Sequence, residues 1–285
     1  MSNNQPLAYY DREFLESNEA RPLRMLAEYL EPLRRFRQQN IQDTVVFFGS
    51  ARIHSRMVAE RALKRLRTGK RGRDYATALK RSRKAVEWSR YYEDARALAH
   101  QLTQWSMTLE SPRHRFVVTS GGGPGIMEAA NRGAREAGGK TIGLNIRLPF
   151  EQGANPYITD GLHFEFHYFF MRKFWFAYLA KALVIFPGGF GTLDEMFEIL
   201  TLAQTQKLSK QLCVILYGRE YWKQILDLQP MVDWGAIGSD DLDLLQWVDS
   251  PAEAFEQLRG HLLTYHLVPE TEQEAHAPGI AKTRG

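Results

Sequence analysis

The segment from Ala182 to Ala203 limits the fold of this chain more than any other stretch. Its first five residues, Ala182-Leu183-Val184-Ile185-Phe186, predict a buried strand, and apolar residues from Met196 onward recur at helical spacing. The turn between strand and helix reads Pro187-Gly188-Gly189-Phe190-Gly191-Thr192-Leu193-Asp194-Glu195. Glycines let a ligand approach the main chain, and the N–H groups at a helix N-terminus favour phosphate. The segment therefore predicts an anion site between a strand and a helix.

Two further strand ends carry turns of small residues. Residues 116–119 predict a strand, residues 120–125 read Ser-Gly-Gly-Gly-Pro-Gly, and residues 126–134 predict a helix. The strand over 44–49 is followed by Ser50-Ala51-Arg52. Three such turns at strand ends are what a nucleotide crevice on an open parallel sheet requires.

Strands and helices alternate along most of the chain. The predicted strands cover 44–49, 116–119, 140–146, 163–167, 182–186 and 212–216. This alternation predicts an α/β fold, a Rossmann-like doubly wound parallel sheet with helices on both faces. An inserted basic helical hairpin is expected in addition.

The chain divides into three predicted parts, the second of which carries an insertion. Residues 1–40 form an N-terminal helical extension, which Pro22 and Pro32 should break into short pieces. A single nucleotide-binding domain covers 41–266, interrupted by the hairpin over 54–90, and a disordered tail covers 267–285.

The hairpin segment carries thirteen Lys or Arg residues against three Asp or Glu. Such a run could bind nucleic acid, in keeping with the pI of about 9.1. It has few aromatic residues and no nucleic-acid motif, so a solvated hairpin is the favoured interpretation and no nucleic-acid partner is predicted.

Composition excludes several classes of protein. No apolar run approaches the roughly 20 residues of a membrane span, and the first ten residues lack a signal pattern, so a cytoplasmic protein without membrane contact is expected. The single cysteine, Cys213, excludes an internal disulfide, and no motif of metal ligands occurs. Neither a metal nor a cofactor is predicted.

The glycine turn also has a purely structural interpretation. Thr192 and Glu195 have the spacing of a capping box, in which each side chain satisfies the other's backbone N–H. Glu195 would then lie in the first helical turn, where the helix dipole should lower its pKa.

Taken together, these motifs resemble those of the LOG family, the cytokinin-activating phosphoribohydrolases. The turn matches the family signature PGGxGTxxE, and Met171-Arg172-Lys173 resembles its Arg-Lys pair at a helix start. The usual form is Met-His-x-Arg-Lys, and here Phe169 and Phe170 stand in place of Met and His. The resemblance covers roughly residues 41–265 and is closest to the longer bacterial branch. Many relatives carry the name lysine decarboxylase, but Lys173 and Lys181 lack the context of a pyridoxal-phosphate Schiff base.

The resemblance implies hydrolysis of the N-glycosidic bond of a nucleoside 5′-monophosphate, AMP or a cytokinin riboside monophosphate. Glu195 would stabilise the oxocarbenium-like transition state, and Arg172 would hold phosphate or ribose oxygens. The residues expected to bind substrate are Gly188, Gly189, Gly191, Thr192, Gly121, Gly122, Gly123, Ser50 and Lys173. Glu128 and Asp194 are further candidate acids that also suit plain first-turn roles; Arg52 and Asn145 are candidate ligand contacts.

Two points stay open at the level of sequence. A non-catalytic nucleotide-binding protein or a molybdenum-cofactor carrier of the same fold is the alternative function. The family resemblance implies a homodimer or larger homo-oligomer, for which the aromatic stretch 168–180 offers an apolar interface.

Overall fold

A computed structural model describes residues 6–148, 153–205 and 212–267. The strands in these ranges are β1 (Thr44–Phe48), β2 (Val117–Ser120), β3 (Thr141–Ile146), β4 (His163–Phe166), β5 (Ala180–Ile185), β6 (Cys213–Tyr217) and β7 (Leu245–Val248). All seven are parallel and form one sheet in the order β4-β3-β2-β1-β5-β6-β7.

Helices connect the strands and flank the sheet. They are α1 (Arg12–Glu16), α2 (Arg21–Gln38), α3 (Arg56–Thr68), α4 (Tyr75–Ser106), α5 (Ile126–Glu136), α6 (Phe169–Leu179), α7 (Phe190–Gln204), α8 (Arg219–Trp222), α9 (Gln229–Asp233) and α10 (Pro251–His266). Short 3-10 turns cover Ala8–Tyr10 and Ser239–Leu244.

Alternate residues of the central strands face opposite sides of the sheet, and both sides are buried and apolar. On β1, Val45 and Phe47 join the core beneath α4, α5 and α10, whereas Val46 and Phe48 join the core beneath α2, α6 and α7. A sheet buried on both faces explains why the strands read as continuous apolar runs. The predicted doubly wound α/β fold is confirmed.

The strand order reverses between β1 and β5. From β1 the chain builds outward through β2, β3 and β4, and it then returns to the other side of β1 with β5, β6 and β7. In open α/β sheets ligands bind where the order reverses, outside the carboxyl ends of the strands. The turns that follow β1 and β5 therefore lie at the position expected for a site.

The structure adds one strand to the six that the sequence predicts. Strand β7 pairs in parallel with β6 at the sheet edge, with Val214 opposite Leu245 and Tyr217 opposite Val248. Its four residues are too few to give a clear pattern, and Gln246 in its interior interrupts the apolar run.

The prediction that Pro32 breaks the N-terminal helix is wrong, because α2 runs without interruption for 18 residues. Pro22 lies at the start of the helix, where proline is tolerated. Pro32 cannot donate to the carbonyl oxygen of Glu28, and the indole Nε1 of Trp175 donates to that oxygen instead, at 2.9 Å. A side chain of α6 thus supplies the hydrogen bond that the proline removes.

The predicted basic hairpin is formed by α3 and the first part of α4, joined by a turn over residues 69–74. The second helix of the hairpin does not end at residue 90, since α4 continues to Ser106 and enters the core through residues such as Tyr92 and Leu98. Residues 268–285 of the predicted tail lie outside the described ranges. None of the helices in those ranges is both long and apolar enough to cross a bilayer.

A buried ion pair ties β1 to β2 at the amino end of the sheet. Arg115 Nε donates to Asp43 Oδ2 at 2.7 Å, and the Phe116 N–H donates to Asp43 Oδ1 at 2.5 Å. Arg115 also donates to the carbonyl oxygen of His266 at the end of α10. Both charged side chains are almost fully buried. One carboxylate therefore orders two central strands and the last helix.

We expect Asp43→Ala to lower the free energy of unfolding by about 3–5 kcal/mol, because it leaves the Arg115 guanidinium buried without its carboxylate. Glu16→Ala is the matched control: it removes the exposed pair with Arg12 and should cost less than about 1 kcal/mol. Urea unfolding followed by circular dichroism measures both. Equal losses in the two variants would contradict this account of Asp43.

Candidate active site

A cleft of about 810 Å³ opens where β1 and β5 lie side by side. Its walls are the loop of residues 49–52 after β1, the glycine turn and first part of α7 over residues 188–195, and the start of α6. The turns after β1 and β5 are joined by a hydrogen bond from the Ser50 N–H to the Pro187 carbonyl oxygen, at 3.0 Å. The cleft thus coincides with the point where the strand order reverses.

The glycine turn leads directly into α7. Its first intrahelical bond runs from the Leu193 N–H to the Gly189 carbonyl oxygen, so the N–H groups of Phe190, Gly191 and Thr192 precede the helical ladder. No atom lies within 4 Å of the position that a Cβ would take at Gly189 or Gly191. The backbone of this turn is therefore accessible from the cleft.

Gly188 is required for a different reason. A Cβ at this position would lie 2.1 Å from Thr192 Oγ1, so the buried threonine side chain occupies the space that the glycine leaves free. The carbonyl oxygen of Gly188 accepts a hydrogen bond from the Tyr221 hydroxyl at 2.6 Å. The contact with Thr192 and the hydrogen bond from Tyr221 together fix the conformation of the turn.

The structure brings Arg172 and Glu195 together in the wall of the cleft. Arg172 Nη1 donates to Glu195 Oε1 at 3.0 Å, and its Nε donates to the carbonyl oxygen of Leu144 in β3 at 2.8 Å. The guanidinium lies over the ring of Phe176, 4.9 Å from its centroid. The side chains of Arg172 and Glu195 are only 10% and 14% exposed. This is a largely desolvated ion pair that still borders the cleft.

Burial raises the pKa of Glu195 to about 7, against the opposing effect of Arg172. The expected lowering of this pKa by the helix dipole is wrong. Glu195 is the sixth residue of α7, beyond the first turn, where the dipole acts most strongly. Gly189 precedes the helix without a side-chain cap, so the capping box between Thr192 and Glu195 is absent.

Lys173, predicted to bind substrate, forms ion pairs with two carboxylates of α7. Its Nζ lies 2.9 Å from carboxylate oxygens of both Asp194 and Glu198 on α7. Although partial burial lowers its pKa, hydrogen bonds to these two carboxylates raise it overall. Lys173 and Asp194 therefore form an outer link between α6 and α7, and neither lines the cleft.

Ser50 and Arg52 line the opposite wall of the cleft. The Ser50 hydroxyl accepts a hydrogen bond from the Arg52 N–H at 3.1 Å, and the Ser50 carbonyl oxygen accepts one from the Ile126 N–H. These bonds shape the loop after β1, and the exposed Arg52 side chain stands at its rim.

The triple-glycine turn, Gly121-Gly122-Gly123, lies behind the Arg172 side chain and is not part of the cleft lining. A Cβ at Gly121 would lie 2.6 Å from Arg172 Nη2. A Cβ at Gly122, which has φ +73°, would lie 1.8 Å from Asn145 Oδ1. The Asn155 side chain donates to the carbonyl oxygens of Gly122 and Gly123. These glycines make room for Arg172 and Asn145, which the sequence did not indicate.

Glu128 lies outside the cleft as well. Its carboxylate accepts a hydrogen bond from the Tyr92 hydroxyl at 2.6 Å, which joins α5 to α4. Burial and this carboxylate raise the pKa of Tyr92. The arrangement fits a packing role for Glu128.

Several residues that line the cleft were not predicted as site residues from the sequence. Trp88 and Tyr221 form part of one wall with Ile225, and Phe169 and Leu148 form part of another. Trp88 belongs to the segment interpreted as a solvated hairpin, and no local pattern separates it from its neighbours. Its position becomes evident only when α4 is placed against α8.

Glu28 of α2 holds the start of α6. Its carboxylate accepts hydrogen bonds from the His167 and Tyr168 N–H groups, at 2.7 and 3.2 Å, immediately before the helix. The same residue's carbonyl oxygen accepts from Trp175. Glu28 therefore positions the helix that carries Arg172. Within the described ranges, no group of three or more metal-ligating side chains converges on one point.

Gly188 and Gly189 provide a matched test of the turn. We expect Gly188→Ala to lower the free energy of unfolding by about 1–3 kcal/mol, because its methyl group would overlap Thr192. Gly189→Ala meets open space and should change stability by no more than about 0.5 kcal/mol. Urea unfolding measures both variants. A loss at Gly189 as large as that at Gly188 would contradict the packing described.

A family model described as "Possible lysine decarboxylase" matches residues 127–258. A cytokinin riboside 5′-monophosphate phosphoribohydrolase of Rhodococcoides fascians is 31% identical over 112 residues, which cover 39% of this chain and 55% of that protein. The cytokinin riboside 5′-monophosphate phosphoribohydrolase LOG of Oryza sativa subsp. japonica is 31% identical over 94 residues, 31% of this chain and 36% of that protein. The match thus spans about half of the first relative and a third of the second.

Among solved structures, a molybdenum-cofactor carrier protein from Chlamydomonas reinhardtii is 19% identical, with a TM-score of 0.44. The alignment covers 78% of this chain and 99% of that one. The glycine turn, Arg172 and Glu195 all lie within the range that the family model matches. Over these segments, the family model and the two sequence relatives show that the chain is similar to members of the LOG family.

Proposed function

We propose that this protein hydrolyses the N-glycosidic bond of a nucleoside 5′-monophosphate, with AMP or a cytokinin riboside monophosphate as substrate. The observation that carries the proposal is the placement of the Glu195 carboxylate. It lies beside Arg172 in the cleft wall, one helical turn from a backbone suited to phosphate. The names of the two sequence relatives support the same reaction class.

The phosphate would bind at the glycine turn. The N–H groups of Phe190, Gly191 and Thr192 precede the helical ladder of α7, and the positive end of the helix dipole reinforces them. Ser50, on the facing loop, adds a hydroxyl group. A phosphate held in this way fixes the distance from the ribose to Glu195, although it takes no part in bond cleavage itself.

Cleavage would proceed through a ribose that gains positive charge as the base departs. The ionised Glu195 carboxylate stabilises this charge and takes a proton from the attacking water, whose oxygen becomes bonded to the anomeric carbon. The bond electrons leave with the base, which gains a proton, so the products are free base and ribose 5-phosphate. Arg172 keeps the carboxylate in place through its hydrogen bond to Oε1.

A homodimer or larger homo-oligomer is part of this proposal. Phe169 and Phe170, at the start of α6, are both about half exposed and would suit an apolar contact between copies. Sedimentation velocity over a range of concentrations measures the state of association.

We expect Glu195→Gln to reduce release of adenine from AMP by about 10²–10⁴-fold, because the amide cannot stabilise positive charge or accept the proton. Glutamine keeps an oxygen that accepts from Arg172, so circular dichroism should match the wild type. Chromatography of the reaction mixture measures base release.

Glu198→Gln is the control for this experiment, since Glu198 binds Lys173 outside the cleft. It should keep activity within about fivefold of the wild type. A wild-type enzyme that leaves AMP intact would refute the proposal, and binding of AMP without turnover would indicate a non-catalytic carrier instead.

We also expect kcat to fall as pH decreases through about 7, because protonation of the buried Glu195 removes the charge that stabilises the ribose cation. Asp194 raises the pKa of Glu195 and Lys173 lowers it. Asp194→Asn should therefore shift the midpoint to lower pH. Measuring kcat at saturating substrate from pH 5.5 to 8.5 tests both points. A wild-type rate that is constant from pH 6 to pH 8 would rule out Glu195 as the titrating group.

A further inference from the structure

Trp88 is the one large aromatic side chain that α4 contributes to the described lining of the cleft. It is partly buried, and its ring meets Tyr221 edge-on, with 5.4 Å between centroids and an interplanar angle of 90°. Tyr221 in turn donates its hydroxyl hydrogen to the Gly188 carbonyl oxygen. One ring and one hydrogen bond thus fix Trp88 relative to the glycine turn.

The remainder of this wall is suited to an apolar, planar ligand group. Ile225 of the segment after α8 lies next to Tyr221 in the lining. The cleft lining also contains the charged pair of Arg172 and Glu195, so apolar and charged groups border the same cleft. A nucleoside monophosphate likewise combines a charged phosphate with a planar base.

Phe169 is the competing aromatic group in the cleft. It lies at the first position of α6, and its side chain is 53% exposed. Phe190, in the turn itself, is 92% exposed. Among the described residues, neither ring makes an aromatic contact like that between Trp88 and Tyr221. A rigid ring loses less conformational entropy when a ligand stacks on it, which favours Trp88 as the platform.

Building on the proposed function, we infer that Trp88 is the residue on which the nucleobase stacks and that it determines the preference for purines. The phosphate binds at residues 189–192, and the base reaches the wall that Trp88 and Tyr221 form. This gives the hairpin segment a role, because its second helix, α4, places Trp88 in the wall of the cleft.

The test compares the affinities of AMP and ribose 5-phosphate, measured by isothermal titration calorimetry on the full-length chain. Ribose 5-phosphate lacks the base, so the ratio of the two dissociation constants isolates the contribution of the base. We expect Trp88→Ala to weaken AMP binding by about five- to a hundredfold and to leave ribose 5-phosphate binding unchanged. Trp88→Phe keeps an aromatic face and should retain most of the affinity for AMP.

Trp234→Ala is the matched control, because Trp234 is 88% exposed and lies outside the cleft lining. It should change neither affinity. In the wild type, AMP and GMP should bind more tightly than CMP and UMP, and Trp88→Ala should remove this difference.

Three results would overturn the inference. Equal losses for AMP and ribose 5-phosphate in Trp88→Ala would show that the ring only supports Tyr221 and the turn. If Phe169→Ala reduced the ratio of the dissociation constants of ribose 5-phosphate and AMP, and Trp88→Ala left it unchanged, the base would lie at the wall that contains Phe169. Nucleotides that bind no more tightly than ribose 5-phosphate would exclude a base platform altogether. Base release is measured separately, so an inactive protein whose AMP affinity depends on Trp88 would refute the proposed function and support this inference.

Discussion

The buried ion pair of Arg172 and Glu195 is the interaction on which the arrangement of the candidate site depends. It joins α6, which precedes β5, to α7, which follows it, at the point where the strand order reverses. Buried ion pairs contribute little net stability, because desolvation of the two charges offsets their attraction. A pair of this kind in the wall of a cleft is therefore better explained by chemistry than by folding.

Several distant parts of the chain hold this pair in place. Gly121 lacks the side chain that would collide with Arg172, and Leu144 supplies a carbonyl oxygen to its guanidinium. Glu28 binds the backbone at the start of α6, so the N-terminal helix α2 also supports the site. Tyr221 fixes the turn that leads to α7. Residues from α2, β3, α8 and the triple-glycine turn thus support this ion pair, either by contacting Arg172 or by fixing the segments that carry the two side chains.

The alternation of strands and helices could be predicted because apolar runs and glycine turns are local patterns. Contacts between elements that are distant in sequence could not be predicted in this way. Pro32 was expected to end a helix, but a tryptophan from α6 replaces the lost hydrogen bond. The position of Glu195 suggested a lowered pKa, yet burial raises it. No sequence pattern marks Trp88 as a cleft residue. Its place in the cleft results from contact between α4 and α8, which are far apart in sequence.

The raised pKa of Glu195 bears on how such a site would distinguish substrate from transition state. Burial and the nearby Asp194 disfavour the ionised carboxylate, and Arg172 favours it. The ionised and protonated forms of Glu195 are therefore of similar stability near neutral pH. A bound phosphate adds negative charge and makes the carboxylate less favourable in the ground state. In the proposed reaction, positive charge on the ribose would have the opposite effect as the glycosidic bond breaks. The interaction would then strengthen along the reaction, and only interactions that strengthen in this way accelerate a chemical step.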